Sequence, residues 1–343
     1  MSATESDFLL ESRGHAEDLG AWVVGVAFGR EGGSCAFALG DGTVRIATPG
    51  DLRAEWRSVA AHDGACLAIA PDAKDGVLTG GDDGRLMRIA PDGTATELAK
   101  YGSKWVERVT SHESGLRAVA VGKAVHVLDG KGAALKSLAH PTSVTGIAFD
   151  GKGKRIAASH YNGASLWFVA AKEGTPRVLE WKGSHTGVVI SPDGTHVVTT
   201  MQENTLHGWR LADGQHMRMA GYPSKTKSLG FTAKGRWLAT AGADCVVLWP
   251  FFGGGPMGKA PTELAGGDGV LCTMVACHPQ QEVVAAGFGD GLVLMAEVAS
   301  GRVVPVAAPR GSAISALAWN AAGTHLAFGA ENGFAGIVDL SKR

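Results

Sequence analysis

Short apolar runs separated by turn residues dominate the chain, and the clearest example lies at residues 184–209. Residues 188–190 are apolar and precede a Pro-Asp-Gly turn; the β-branched run 197–200 then ends at a second polar turn, and a third run ends at Trp209. Proline fixes φ at the entry of a turn and glycine accepts a positive φ at its exit, so this pattern predicts three short strands joined by tight turns. Three such strands do not bury a face alone, and further copies are expected to cover them.

The same strand-and-turn unit recurs along the whole sequence. The position that ends the first strand of each unit recurs every 38 to 46 residues, at Phe28, Ile69, Ser111, Phe149, Ile190, Phe231, Cys277 and Trp319. A turn-rich strand repeat of about 40–45 residues is typical of β-propellers. We therefore predict an all-β fold, a single eight-bladed β-propeller with four antiparallel strands per blade. A seven-bladed ring is the alternative.

The spacing also sets the expected organisation of the chain. The predicted blades cover residues 22–59, 63–99, 105–138, 143–181, 184–219, 225–264, 270–307 and 313–339 of a propeller domain that spans 7–340. We expect an outer strand at 7–13 to complete the last blade, because closing the ring removes a free sheet edge; a loose tail is the alternative for these residues. Residues 1–6 are predicted to be disordered. The Gly- and Pro-rich insertion at 250–261 is predicted to be an exposed loop.

Several short motifs in these units resemble the WD40 repeat family. The sequence has Gly-His at 14–15, Ser-Pro-Asp-Gly at 191–194, Gly-Gly-Asp-Asp-Gly at 80–84 and Leu-Ala-Thr-Ala-Gly at 238–242. Tryptophan ends the predicted third strand at Trp167, Trp209 and Trp249, but the Trp-Asp dipeptide of the family is absent. The resemblance covers nearly the whole chain. It implies a propeller fold and says little about activity, because one fold supports many functions.

Composition and charge narrow the functional classes. The chain has 50 glycines in 343 residues, which suits many tight turns, and a formal net charge of −1, which gives no electrostatic footprint for nucleic acid. Five cysteines without a spaced framework do not predict disulfides. No apolar run approaches 18 residues, and the first residues lack a basic segment followed by an apolar one. We expect a cytoplasmic monomer that binds neither nucleic acid nor membrane.

Twelve histidines suggest metal binding, but their positions favour a structural role. The WD40 resemblance implies that a histidine ahead of a first strand bonds a turn acid or amide and fixes the turn between neighbouring blades. The residues at these turn positions are His15, His62, His140 and His185 together with Asp41, Asp83, Asp244, Asp290, Asn162 and Asn332. Repeats spread round a ring would hold these histidines far apart. Cys272 and Cys277 are five residues apart on a predicted strand and point to opposite faces, so no metal site is predicted there.

The narrow face of the ring is the remaining candidate site. It comprises the residues that lead into each first strand and the hairpins between second and third strands. Position in the WD40 pattern implies that this face carries Trp22, Asp82, Trp105, Glu107, Tyr161, Gln202, Lys225, Lys227 and Glu331. Aromatic residues are enriched among interface anchors, so we interpret the set as a partner-binding patch. Packing of the two tryptophans between blades is the alternative.

No catalytic or phosphate-binding motif accompanies this patch. Gly-x-Ser-x-Gly and the Walker pattern are both absent, and the glycine run at 253–255 is followed by proline rather than by a helix. We therefore predict a non-enzymatic scaffold or adaptor for a protein or peptide, without a cofactor or bound metal. An enzyme, or a small-ligand or metal-binding protein that uses the central channel, is the alternative.

Overall fold

Nearly all of the described chain is β-strand and tight turn. A computed structural model describes residues 8–171 and 174–341. It begins with a five-residue helix, α1 (Leu9–Arg13), and a short strand, β1 (Gly14–Asp18). The predicted disordered tail at 1–6 lies outside the described residues.

Three four-stranded antiparallel sheets follow in chain order. The first contains β2 (Val23–Phe28), β3 (Cys35–Leu39), β4 (Thr43–Ala47) and β5 (Arg57–Ala60). The second contains β6 (Cys66–Pro71), β7 (Val77–Gly81), β8 (Arg85–Ile89) and β9 (Ala95–Lys100). The third contains β10 (Arg108–Ser111), β11 (Arg117–Val121), β12 (Ala124–Leu128) and β13 (Ala134–Ala139).

The middle of the chain forms one six-stranded sheet, and three four-stranded sheets complete the fold. The six-stranded sheet contains β14 (Gly146–Phe149), β15 (Arg155–Phe168), β16 (Arg177–Ile190), β17 (His196–Met201), β18 (Leu206–Arg210) and β19 (His216–Met219). The fifth contains β20 (Leu229–Phe231), β21 (Trp237–Thr240), β22 (Cys245–Pro250) and β23 (Thr262–Gly266). The sixth contains β24 (Cys272–Cys277), β25 (Val283–Phe288), β26 (Val293–Glu297) and β27 (Val303–Ala307). The last contains β28 (Ile314–Trp319), β29 (His325–Ala330) and β30 (Phe334–Asp339) together with β1.

The prediction of eight separate blades is wrong, because strand pairing gives seven sheets. The predicted fourth and fifth units share the six-stranded sheet. One end of β16 pairs with β15 through residues 177–184, and its other end pairs with β17 through residues 185–190. No proline interrupts these fourteen residues, and Gly183 accepts the positive φ at the change of partner, so the ladder continues from one repeat into the next.

The predicted outer strand at 7–13 is also wrong. Residues 9–13 form α1, whose Leu10 is only 5% exposed and packs against the last two sheets. The five residues after the helix form β1, which pairs antiparallel with β30 from Gly14↔Val338 to Asp18↔Phe334. The apolar residues that suggest a strand therefore anchor a helical turn, and a strand begins only at Gly14.

The core lies between neighbouring sheets rather than at one centre. One buried cluster joins Val23 and Phe37 of the first sheet to Ala327 and Ile337 of the last sheet. Further clusters join the first sheet to the second and the sixth sheet to the last. Each sheet therefore buries both faces against its neighbours, which is the packing of a β-propeller.

Glycines allow these sheets to approach closely. A Cβ atom on Gly329 of the last sheet would lie 2.3 Å from Cγ1 of Val23 in the first sheet. The same contact recurs between Gly287 and Ile314, where the corresponding distance is 2.4 Å. A β-branched residue of one first strand thus fills the space above a glycine in the neighbouring sheet, so the glycine is needed for close approach.

Side-chain hydroxyl groups join the same first strands. The Ser315 hydroxyl donates to the Val23 carbonyl at 2.6 Å, and the Thr273 hydroxyl donates to the Ile314 carbonyl at 2.6 Å. These bonds satisfy carbonyl groups at the inner edge of each sheet, where no further strand pairs. Polar and apolar contacts therefore hold the last sheet to the first.

We expect Gly329→Ala to destabilise the fold by about 1–3 kcal/mol, because the added methyl group overlaps Val23 in a packed core. Urea denaturation measures the free energy of unfolding. Adding Val23→Ala to the same variant should recover part of the loss. Gly50→Ala is the control, since nothing lies within 4 Å of the added atom. An unfolding curve for Gly329→Ala that superimposes on that of the wild type would contradict the contact.

Candidate functional site

Strand register brings the predicted face residues to one end of the sheets. The start of β2 pairs with the end of β3 at Val23↔Leu39, and the start of β6 pairs with the end of β7 at Cys66↔Gly81. Residues that precede a first strand therefore lie beside residues that follow a second strand. Trp22 shows this directly, because its carbonyl accepts the backbone N–H of Gly40 at 2.9 Å.

A cavity of about 560 Å³ opens at this end, where several sheets meet. Four of the predicted face residues line it and come from three distant parts of the sequence: Trp22, Lys225, Lys227 and Glu331. Much of the remaining lining is apolar and comes from first strands or the residues just before them, namely Val24, Ala65, Leu67, Leu271, Met274 and Ile314. The ring thus converts a dispersed set of residues into one concave surface.

The three aromatic residues of the predicted patch are strongly exposed. Trp22, Trp105 and Tyr161 expose 53%, 57% and 53% of their surface. If these rings become buried when another molecule binds, a large apolar area is removed from water. Their role as partner contacts stays a prediction.

The other predicted face residues lie outside the cavity lining. Asp82 accepts the backbone N–H of Ala65 through its carboxylate at 3.0 Å, so it shapes the loop beside the cavity. Glu107 is half-buried, and its carbonyl accepts a bond from the Arg108 guanidinium at 2.8 Å. Gln202 is exposed, and its backbone N–H donates to the Ser184 carbonyl at 2.9 Å.

Among the predicted turn residues, the side chains of His62 and Asp83 bond each other directly. Their side chains meet at 3.0 Å, and the second ring nitrogen of His62 lies 2.9 Å from the Thr79 hydroxyl. Asp83 also accepts the backbone N–H groups of Asp63 and Arg85. Partial burial raises the pKa of Asp83, but these backbone bonds, the Arg85 guanidinium and His62 outweigh it, so its pKa lies well below the usual range.

The other predicted turn acids and amides mostly cap their own turns. Asp41, Asp290 and Asn332 each accept the backbone N–H two residues ahead. Asn162 has a positive φ of 66° and accepts the backbone N–H of Gly183 at 3.2 Å. The carbonyl of Asp244 accepts the backbone N–H of Gly267. Short polar side chains favour such turns, because they satisfy backbone donors locally.

The remaining three predicted histidines have different partners within the described residues. His15 lies 3.4 Å from Glu17, and His140 accepts the indole N–H of Trp167 at 3.1 Å. His185 lies 2.7 Å from the Thr199 hydroxyl. In each of these three cases the imidazole meets a residue of a β-strand rather than one of the predicted turn acids or amides.

His207 is fully buried and lies within a cluster of aromatic rings. The His207 ring stacks on Trp181 at a centroid distance of 3.9 Å, and its Nε2 lies 3.0 Å from Nδ1 of His216. Burial, followed by the charges of His216, His185 and Arg218, lowers the pKa of His207 to about 3. His207 and Trp209 are two residues apart on β18 and share a face of the strand, which was the available sequence signal for this cluster.

The described residues contain no group of three or more histidine, cysteine, aspartate and glutamate side chains placed to hold a metal ion. All five cysteines are free thiols, and burial raises the pKa of Cys272 and of Cys277 to about 12. No described helix combines the length and the apolar character needed to cross a membrane.

The insertion at 250–261 folds back on its own sheet. Phe251 is buried, and the Phe252 ring meets Trp237 edge-on at a centroid distance of 5.3 Å. The Lys259 amino group lies over Phe252 and donates to the carbonyl of Gly255 at 3.0 Å. Phe252 is therefore held from both sides, although it remains partly exposed.

Comparisons with known proteins support the propeller architecture, but they do not assign the chain to a family. No family model matches the chain. The chain is 23% identical over 295 residues to Autophagy-related protein 16 of Arabidopsis thaliana, which covers 80% of this chain and 55% of that protein. It is 27% identical over 202 residues to Telomerase protein component 1 of Mus musculus, which covers 57% of this chain and 7% of that protein. This chain therefore corresponds to about half of one relative and to a small part of the other.

A solved structure gives the same fold. The crystal structure of the computationally designed Ika8 protein superimposes with a TM-score of 0.73 at 20% identity, covering 94% of this chain and 98% of that chain. At this identity the likeness shows the fold alone.

We expect Asp83→Asn to lower the free energy of unfolding by about 1–3 kcal/mol at pH 7, because it removes a charged acceptor for His62 and Arg85. The native pKa of Asp83 is depressed, so its contribution is present above the unfolded pKa of about 4 and is lost as the pH falls below it. The difference between variant and wild type should therefore shrink between pH 5 and pH 3 in urea titrations. Asp92→Asn, at an exposed turn, is the control. A constant difference over this range would contradict the pairing.

His207 is expected to produce a second pH dependence of stability, at higher pH than that of Asp83. Its native pKa of about 3 lies below the unfolded value of about 6.5, so stability is full above pH 6.5 and is lost as the pH falls. Between pH 7 and pH 5 the free energy of unfolding should fall by on the order of 2 kcal/mol more in the wild type than in His207→Phe, which preserves the stack on Trp181. Thermal melts at both pH values measure this. Parallel losses in the two proteins would show that the imidazole is not the group responsible.

Proposed function

We propose that this chain is a non-enzymatic adaptor that binds a protein or peptide on the narrow face of a divergent WD40-like propeller. The observation that carries the proposal is the exposure of Trp22, Trp105 and Tyr161 by more than half on that face. Tryptophan and tyrosine are the residues most enriched among binding hot spots, especially beside a pocket that excludes water.

Charge supports the same surface. Lys225 and Lys227 lie at the cavity beside Trp22, and both are exposed. Lysines at the rim of an interface act mainly on the association rate and on the choice of partner. The weak similarity to Autophagy-related protein 16 agrees with an interaction role. We extend to this chain neither that protein's partners nor its cellular process, and the cytoplasmic location stays a prediction.

The cavity itself favours a second candidate function. Its volume of about 560 Å³ falls within the range of small-molecule sites, roughly 300–1,000 Å³. A propeller enzyme or ligand carrier would use this space. Native mass spectrometry of the purified protein distinguishes the candidates, since a retained small molecule or metal ion favours the ligand-binding function.

Affinity capture from the native source, read by quantitative mass spectrometry, tests the adaptor function. We expect the triple variant Trp22→Ala, Trp105→Ala and Lys227→Ala to lose at least about tenfold of the wild-type partner signal, since hot-spot residues contribute roughly 2 kcal/mol or more each. The matched control is Phe168→Ala with Lys152→Ala, which removes an exposed aromatic residue and an exposed lysine elsewhere on the surface. Equal capture by the triple variant and the wild type would refute the assigned face.

A further inference from the structure

We propose that the narrow-face cavity receives one apolar side chain of a bound peptide, and that Lys225 and Lys227 bind a carboxylate next to that side chain. This inference rests on the proposed adaptor function and specifies the chemistry of its partner. The partner segment is acidic on one side of a leucine-like or phenylalanine-like residue. Nothing in the comparisons assigns such a site.

The lining of the cavity selects an apolar group. Val24, Leu67, Met274 and Ile314 come from four different sheets and present apolar atoms to the same space. Hydroxyls at the neighbouring first-strand positions are already used between sheets, as in Thr273 and Ser315. An apolar side chain entering the cavity gains about 1.5–3 kcal/mol from full burial against these groups.

The two lysines select a negative charge beside the apolar group. Both line the cavity and are exposed, and neither amino group has a hydrogen bond or an ion pair within the described residues. They lie two residues apart in the segment that leads into β20. Two unpaired ammonium groups at one edge of an apolar cavity complement a carboxylate or a pair of carboxylates.

Glu331 gives the ligand a direction. It lines the same cavity from the last sheet, and its carboxylate has no partner among the described residues. A second acidic group on this side of the ligand would be repelled. The peptide therefore carries its acids on the side of Lys225 and Lys227 only, and a neutral or basic residue faces Glu331.

Exposed apolar groups in the lining and on the predicted face favour a peptide over a short aliphatic acid. Trp22 and Leu271 line the cavity and are exposed, and Trp105 and Tyr161, predicted for the same face, are exposed without belonging to the lining. A fatty acid with its chain in the cavity would leave these groups in water. A peptide continues past the cavity and covers them.

Isothermal titration of three synthetic peptides tests the inference. The probes are Gly-Leu-Asp-Asp-Gly, Gly-Ser-Asp-Asp-Gly and Gly-Leu-Lys-Lys-Gly, each blocked at both ends, and octanoate is titrated in parallel. We expect the first peptide to bind at least about tenfold more tightly than the second, which lacks the apolar side chain, and than the third, which reverses the charge. Equal affinities, no binding of any peptide, or binding of octanoate alone would overturn the proposal.

Two variants link the result to the named residues. Lys225→Glu with Lys227→Glu should exchange the preference, so that Gly-Leu-Lys-Lys-Gly becomes the tighter ligand. Ala65→Trp fills the cavity without changing a charge and should weaken both leucine peptides by at least about tenfold. Val24→Phe is the alternative cavity-filling variant if Ala65→Trp melts well below the wild type. Unchanged preferences in both kinds of variant would place peptide binding elsewhere.

The outcome separates this inference from the adaptor function. Partner capture that depends on Trp22, Trp105 and Lys227 but is unaffected by Ala65→Trp would leave the adaptor function standing and contradict the cavity. Capture that survives the triple variant would contradict the adaptor function itself.

Discussion

The close contact between neighbouring sheets is the constraint on which the rest of this structure depends. Each sheet is too narrow to bury a face alone, so its stability comes from the sheets on either side. At the junction of last and first sheet, Val23 fills the space above Gly329, and the Ser315 hydroxyl bonds the Val23 carbonyl. β1 adds backbone pairing to β30 at the outer edge of the last sheet. These contacts tie residues near the start of the chain to residues near its end.

The site follows from the same geometry. Trp22, Lys225 and Glu331 are more than a hundred residues apart in sequence, yet all three line one cavity because each occupies the same end of its own sheet. A repeated unit therefore presents one position many times round a ring, and substitution at those positions changes the chemistry of the cavity without changing the fold. The hydroxyls of Thr273 and Ser315 hold sheets together, whereas Val24 and Leu67 at related first-strand positions leave an apolar surface.

The fold class could be predicted from the sequence because turns have strong local signals. Proline, glycine and aspartate mark the turns at nearly constant spacing, and the short apolar runs between them indicate strands. It was harder to predict which strands share a sheet, because that depends on which strand edges pair. The absence of proline and the glycine at 183 permit β16 to continue from one repeat into the next, but they do not require it. The helix at Leu9–Arg13 was also missed, since a single buried residue, Leu10, defines its packing. Side-chain partners were predicted least well: His62 meets the turn acid Asp83, but His140 and His185 bond the strand residues Trp167 and Thr199 instead.

Hydrogen–deuterium exchange of the first and last strands tests the central claim most directly. If contacts between the chain ends hold the ring together, the backbone amides of 14–18 that bond β30 should be protected to the same degree as those of 334–338 and should exchange only through global unfolding. Protection of both segments should also fall together as denaturant is added. Fast exchange in 14–18 while 334–338 stays protected would show that other contacts hold the ring together and that the first strand contributes little to its stability. This result would contradict the account.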